Sequence, residues 1–294
     1  MKKIVIRVPA TSSNLGAGIN SLGIAFKLYS TVIVEEKTDH WQVNHSLKGI
    51  PHDSDNLIVQ TILRINPRIS PHQLTVMSDI PQARGLGSST SAVIAGIKIA
   101  NVLGRMGMSL DQQINVGSQI LGHPECISSG ILGDLTASTV GDSHRVATVK
   151  AKMPQVSALM YIMPDQNFKS KSIRENQSKS VKLSELIKSI DISNVLIAAI
   201  MDNRWSKASI IMEKDPIVAH WRRHNLPALN QIRRIAHHLG IYGTYLNGEG
   251  PIIITFGQIA ELNRLHNQLS NDPKLTGEFR VLEIDRQGTT VRGE

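Results

Sequence analysis

The stretch Ser88–Leu103 constrains the fold more than any other part of the chain. Wound as a helix, it carries Ala92, Val93, Ile94, Ala95, Ile97, Ile99, Ala100, Val102 and Leu103 almost all round its circumference. A helix without a polar face belongs in the middle of a domain, covered on every side. Gly104 closes it at the C-terminal end, where glycine accepts the backbone conformation a helix stop requires. The chain has 294 residues, enough core for one large domain or two ordinary ones.

Around that helix the pattern alternates between strand and helix. Lys3–Val8 reads as a strand running into a turn at Pro9, and Ala25–Glu35 as a second strand. Asn56–Leu63 has helical spacing and Gln73–Met77 strand character. Leu110–Leu121 is a further helix, followed by an irregular stretch, Gly122–Gly133, and strands at Leu135–Val140 and Arg145–Val149. After Met153-Pro154 the pattern restarts with a strand at Val156–Met163 and a polar run over Asp165–Lys182. Helices follow at Leu183–Ile190, Ile192–Met201, Trp205–Glu213 and Ala228–Leu239. Strands at Tyr242–Leu246 and Ile252–Phe256 flank a tight turn, and Ile259–Leu269 and Phe279–Ile284 close as helix and strand. The expectation is an α+β chain of two domains, 1–152 and 153–294.

Hydrophobic residues at 41% and charged residues at 19% suit a folded enzyme. Apolar runs such as Val195–Met201 are too short to cross a bilayer, so no membrane partner is expected. Lys2-Lys3 followed by an alternating strand has no cleavage-site pattern. Cys126 is the single cysteine, which rules out an internal disulfide and suits a cytoplasmic location. The net charge of +8 is scattered, and aromatics make up only 4%, so no basic stripe with a stacking platform points to nucleic acid. Basic side chains that attract a nucleotide and an acidic metabolite account for the sign.

The chemistry-bearing segment is Pro81-Gln82-Ala83-Arg84-Gly85-Leu86-Gly87-Ser88-Ser89-Thr90. Its glycines let a backbone approach an anion closely, and the N–H groups and dipole of the following helix favour phosphate. A serine here can also ligate a nucleotide's magnesium. The competing reading is an ordinary helix cap, since serine and threonine cap many helices. Walker A, G-x-G-x-x-G and protein-kinase motifs are missing, so the loop belongs to another class.

Pro81–Ser91 resembles the Pro-x-x-x-Gly-Leu-Gly-Ser-Ser phosphate loop of the GHMP kinase superfamily. Val8-Pro9-Ala10-Thr11-Ser12-Ser13-Asn14-Leu15-Gly16-Ala17-Gly18 is similar to the first motif of homoserine kinases, and Leu246-Asn247-Gly248-Glu249-Gly250-Pro251 to their third, glycine-rich motif. Gly122-His123-Pro124 and Gly130–Gly133 fit a segment between them. The resemblance implies a ribosomal protein S5 domain 2-like N-terminal domain, a ferredoxin-like C-terminal domain and a homodimer. It implies ATP and Mg2+ as cofactors, with phosphates in Arg84–Thr90, Asn56 near the nucleoside, Ser170 contributing, and Ser89 and Gln119 at the metal. Asn14, Asn20, His123, Glu125, Arg174, Arg222, Gly248 and Gly250 would hold an amino-acid alcohol, L-homoserine. The two arginines would grip its carboxylate, a task suited to the guanidinium fork.

Three short segments depart from the family pattern. Asn20 and Glu125-Cys126 stand where homoserine kinases carry aspartate and Asp-Asn, and Gln119-Ile120-Leu121 where two glutamates are usual. A neutral amide is a poorer ligand for a hard cation than a carboxylate. These changes keep two other readings open: a GHMP kinase for another small alcohol, and a nucleotide-binding paralogue with weak catalysis.

Overall fold

The computed structural model describes residues 3–142, 145–164, 181–217, 226–248 and 251–293. The chain divides into two units: Met1–Thr11, Gly23–Lys150 and Asp285–Glu294 form the first, Ser12–Leu22 and Ala151–Ile284 the second. Neither unit is a single contiguous span.

The first unit is built on the apolar helix, α2 (Ser88–Leu103), whose residues from Thr90 to Ala100 are buried except Ala92. Helix α1 (Leu57–Ile65) lies against it so closely that a Cβ on Gly96 would come within 2.6 Å of the Thr61 Cβ and 2.7 Å of the Ile58 carbonyl. Helix α3 (Leu110–Leu121) starts with a reciprocal capping box between Ser109 and Gln112, which satisfies two backbone donors at once. Helix α4 (Glu125–Leu132) occupies the stretch that sequence reasoning left irregular. Its serines and glycine are poor helix formers, but burial overrides propensity.

The helices cover a sheet of β1 (Ile4–Ser13), β2 (Leu22–Lys37), β3 (Gln42–Asn44), β4 (His72–Ser78), β5 (Leu135–Val140), β6 (Val146–Ala151) and β11 (Thr290–Gly293). The order is β11-β1-β2-β4-β3, with β5 paired to β2 and β6 to β5. Ile6 and Val8, Val32 and Val34, and Leu74 and Val76 alternate onto one face and meet Val93, Ile94 and Ile97 of α2. Each such fully buried side chain contributes about 1.5–3 kcal/mol. Pro9 does not end β1 as expected. The ladder with β11 stops at Arg7↔Thr290, so on that side Pro9 owes no hydrogen bond.

The C-terminal residues return to finish this unit. Buried Asp285 accepts from the Tyr29 hydroxyl (2.6 Å) and from the backbone N–H groups of Gln287 (2.9 Å) and Gly288 (2.6 Å). Its own backbone bonds Asp134 N–H at 2.6 Å and the Ala25 carbonyl at 2.9 Å.

In the second unit, β7 (Ser157–Ile162), β8 (Thr244–Leu246), β9 (Ile252–Gly257) and β10 (Glu278–Glu283) form an antiparallel sheet in the order β10-β7-β9-β8. Helices α7 (Pro227–His238) and α8 (Ile259–Ser270) pack Leu229, Ile232 and Ala236, and Leu262, Leu265 and Leu269, onto it. Taken as β7-α7-β8-β9-α8-β10, this is the ferredoxin-like βαββαβ arrangement. Between β7 and α7 lie α5 (Leu183–Met201) and α6 (Trp205–Ile211). Helix α5 is one continuous helix where sequence reasoning expected two: Asp191 sits mid-helix at its surface and does not break it.

Candidate functional site

In the first unit, the loop before α2 turns through left-handed backbone at Ala83 (φ 55), Gly85 (φ 80) and Gly87 (φ 74). Alternation of this kind gathers successive N–H groups into an anion-binding concavity. Leu86, 1% exposed, anchors the loop from below, and its carbonyl accepts from Thr11 N–H at 3.1 Å. The N-cap of α2 is Gly87, and no side chain caps it. This removes the reading of the serines and threonine as ordinary caps. The first internal bond is Ser91 N–H to the Gly87 carbonyl (2.8 Å), so the N–H groups of Ser88, Ser89 and Thr90 have no acceptor within the helix. The first turn holds no acidic residue. An anion is the partner this helix end calls for.

Thr11 sharpens the point. Its hydroxyl is buried and has no partner among the described residues, and a Cβ on Gly87 would lie 2.2 Å from it. Position 87 therefore needs glycine for its conformation and for the space beside Thr11. Sequence reasoning quoted Thr11 only as part of a motif. The loop's other side is held by Gln82, whose amide donates to the Lys48 carbonyl at 3.3 Å. Asn56 is the N-cap of α1, accepting from Ile58 N–H (3.0 Å) and donating to the Pro51 carbonyl (2.8 Å), so most of its amide serves the fold.

Gln119 lies in the C-terminal half of α3. It is exposed on α3 and lines a cavity of about 490 Å³ with Arg64, Ile65, Met106, Met108, Gln112, Asn115, Val116 and Ile120. No residue of Pro81–Ser91 lines that cavity.

His123 and Glu125 do come together, at the start of α4. His123 Nδ1 lies 3.0 Å from Glu125 Oε1 in a close but imperfectly aligned contact. Glu125 is 3% exposed and its Oε2 has no partner among the described residues. Gly23 makes room for it, since a Cβ there would stand 2.1 Å from the Glu125 carbonyl oxygen. The His123 pKa is raised, first by the hydrogen bond to Glu125, against the opposing effect of burial, with the carboxylate's charge adding to the rise. A raised folded-state pKa gives stability that is fully present below the unfolded value of 6.5 and is lost as pH rises through the folded value. His123→Gln should therefore lower the melting temperature most below about pH 6.5 and progressively less on the alkaline side. Melting curves of both proteins across that range check it. A difference that does not change with pH would remove the ion pair.

In the second unit, the first and third motifs meet. Ser12 Oγ donates to Asn247 Oδ1 (2.7 Å) and lies 2.9 Å from the Tyr245 hydroxyl, which must then be the donor. Asn14 (φ 63) and Asn20 (φ 55) both take left-handed backbone, which asparagine tolerates better than most residues. Asn14 Oδ1 accepts from Asn20 N–H at 2.9 Å, and Asn14 N–H donates to the Leu22 carbonyl at 2.9 Å, closing the loop between them. Gly248 follows Asn247, with Ser13 Oγ 3.4 Å from where its Cβ would be. Ser170, Arg174, Arg222 and Gly250 lie outside the described residues.

Among the described residues no group of three or more His, Cys, Asp or Glu side chains could hold a metal ion. No helix among them is long and apolar enough to cross a membrane.

Known proteins share this arrangement. Residues 56–142 match the family described as GHMP kinases N terminal domain. The homoserine kinase of Lactiplantibacillus plantarum is 37% identical over 290 residues, 98% of this chain and 99% of that one. That of Bacillus cereus is 37% identical over 292 residues, 98% of this chain and 97% of that one. A solved Listeria monocytogenes structure assigned as a homoserine kinase matches with a TM-score of 0.86 at 33% identity, over 99% of this chain and 100% of that one. A mevalonate kinase structure, at a TM-score of 0.72 and 16% identity over 96% of this chain and 99% of that one, shares the fold. With identity at this level along nearly its whole length, and a glycine loop feeding an uncapped buried helix, the chain belongs to the homoserine kinases of the GHMP kinase superfamily.

Proposed function

We propose that this chain transfers the γ-phosphoryl group of ATP to the side-chain hydroxyl of L-homoserine, giving O-phospho-L-homoserine and ADP, in threonine biosynthesis in the cytoplasm. The observation that carries the phosphate half is the N-terminus of α2, with its N–H groups unclaimed, no capping side chain, and the unpartnered Thr11 hydroxyl beside Gly87. In the reaction the hydroxyl oxygen bonds to the γ-phosphorus, the bond to the β,γ-bridging oxygen breaks, and the hydroxyl proton leaves to solvent or phosphate. Little base catalysis is required of the protein in such a transfer; positioning and neutralisation of charge supply most of the rate.

Magnesium fits this site as the partner of ATP rather than as a resident ion. The protein offers hydroxyls near the loop, Ser89 being the exposed one in the first turn, and no carboxylate there. When bound, the ion neutralises phosphate charge. The proposed metal ligands remain Ser89 and Gln119, the latter also lining the cavity on α3. His123 and Glu125 are the substrate contacts that the described residues support best. The buried Glu125 Oε2 lacks a donor that an ammonium or hydroxyl would supply. Arg174 and Arg222 remain the proposed carboxylate clamp.

A second reading, a kinase for a related amino alcohol, is favoured by Glu125, whose extra methylene moves the carboxylate relative to the aspartate usual in the family. ADP release measured with ATP and magnesium, with L-homoserine, L-threonine, mevalonate or no alcohol, separates the readings. Homoserine-dependent ADP release well above the other alcohols is expected. Release with a different alcohol alone favours the second reading, and none with any alcohol overturns both.

A further inference from the structure

The open groove beside Gln119 has none of Pro81–Ser91 along it and has its own chemistry. It lies within the first unit, walled by the last turn of α1, the connection from α2 to α3, and one face of α3. Ile65, Met106, Met108, Val116 and Ile120 give it an apolar lining, and its volume of about 490 Å³ falls in the range of small-molecule pockets. The polar groups along it are Arg64, Gln112, Asn115 and Gln119, and no acidic side chain is among them.

Two of the amides are fixed in orientation. Gln112 Oε1 accepts from Ser109 N–H at 2.8 Å, and Asn115 Oδ1 accepts from Val146 N–H at 2.6 Å. A backbone N–H must meet an oxygen, so both side chains have their NH2 groups left for other partners. Arg64 makes no ion pair among the described residues. With a cation and two amides offering donors, and carboxylates absent, the cavity is complementary to an anion and not to an amine. The two methionines suit a planar ring as well as an alkyl chain, because sulfur packs favourably on aromatic edges.

We propose that this cavity is a second binding site, for a small organic carboxylate with an apolar, preferably aromatic, body. Arg64 and the amides of Gln112 and Asn115 take the carboxylate, and Met106, Met108, Val116 and Ile120 take the body. The neutral Gln119 keeps the cavity free of negative charge, which is what its departure from the family pattern achieves here. The bland role of Arg64, a basic residue in the last turn of α1 that complements the helix dipole, needs no ligand.

Calorimetric titration of the full chain with 4-phenylbutanoate, and with 4-phenylbutan-1-ol as its uncharged counterpart, tests the proposal. The carboxylate should bind about tenfold more tightly than the alcohol, the size of one charge-assisted contact. Arg64→Gln should bring the carboxylate down to the alcohol's level and leave the alcohol unchanged. Met106→Trp, at an exposed position on the cavity wall, should abolish binding of both. The melting-temperature increase with ATP and magnesium should persist in both variants, which shows that they fold. Equal affinity for acid and alcohol, an unchanged affinity in Arg64→Gln, binding that survives Met106→Trp, or no saturable binding of the acid to the parent overturns the site.

Discussion

Gly87→Val should bind no ATP: the melting-temperature increase that saturating ATP and magnesium give the parent should vanish. At a ligand concentration of about 100 Kd the parent gains about 2.7 kcal/mol, or roughly 5 °C for a chain of this size. The variant loses it because valine is strained at φ 74 and its Cβ would lie 2.2 Å from the Thr11 hydroxyl. Should Gly87→Val fail to fold, Thr11→Ala separates structure from binding. Removing a buried hydroxyl that has no partner should leave the ligand-free protein as stable or more stable, since an unsatisfied group costs about 1–3 kcal/mol. The same change should weaken ATP. A Thr11→Ala protein that is less stable alone and unchanged toward ATP would show that the hydroxyl serves the fold, and that the phosphates do not reach it.

Glu125→Gln should lower kcat/KM for L-homoserine by about 10- to 100-fold, the range expected when one charge-assisted hydrogen bond of about 1.5–3 kcal/mol is lost. The side chain is nearly isosteric, so α4 keeps its start and the ATP-induced stabilisation should be unaltered. The reason for so large an effect is the Oε2 oxygen, buried and without a donor among the described residues. A carboxylate taken from water and left half-satisfied is costly unless a bound molecule completes it. Steady-state kinetics with each substrate varied in turn checks the prediction. Equal weakening toward ATP and homoserine would make Glu125 a support for α4 rather than a substrate contact.

The parts legible in the sequence were those with long, unbroken periodicity. Ser88–Leu103 and, approximately, Leu110–Leu121 were legible from their apolar spacing. Gly104 stays right-handed (φ -80) and the left-handed residue after α2 is Arg105, while the Ser109–Gln112 capping box that opens α3 was not read from the sequence. The strands β3 and β11 were missed, being three and four residues long, too short for an alternation to register. Helix α4 was hidden by its serines and glycine, which mark loops when exposed and fit helices when buried. The left-handed glycine loop before α2, the proposed phosphate site, could be read locally because its geometry is backbone geometry. Thr11 could not, since its importance depends on β1 passing beside Gly87, far along the chain. Exposure along α3 changes one residue at a time: a step is about 100° of helix, so Ser118 is buried while Gln119 is exposed and lines the cavity beside Arg64.

The return of the chain's end to the first unit bears on how the protein is born. A ribosome that has finished residue 150 must still add about 135 residues before Asp285 emerges, roughly 7–27 s at ordinary bacterial rates of synthesis. Through that interval the Asp285 contacts of Tyr29 and of the Ala25 carbonyl are unmade, and the edge of β1 has no β11 beside it. Unpaired edges of this kind are where nascent chains stick to one another. Residues 285–293 thus act as a bolt on residues made long before them. Arrival of Asp285, rather than completion of the first 150 residues, is the event that lets this unit lock.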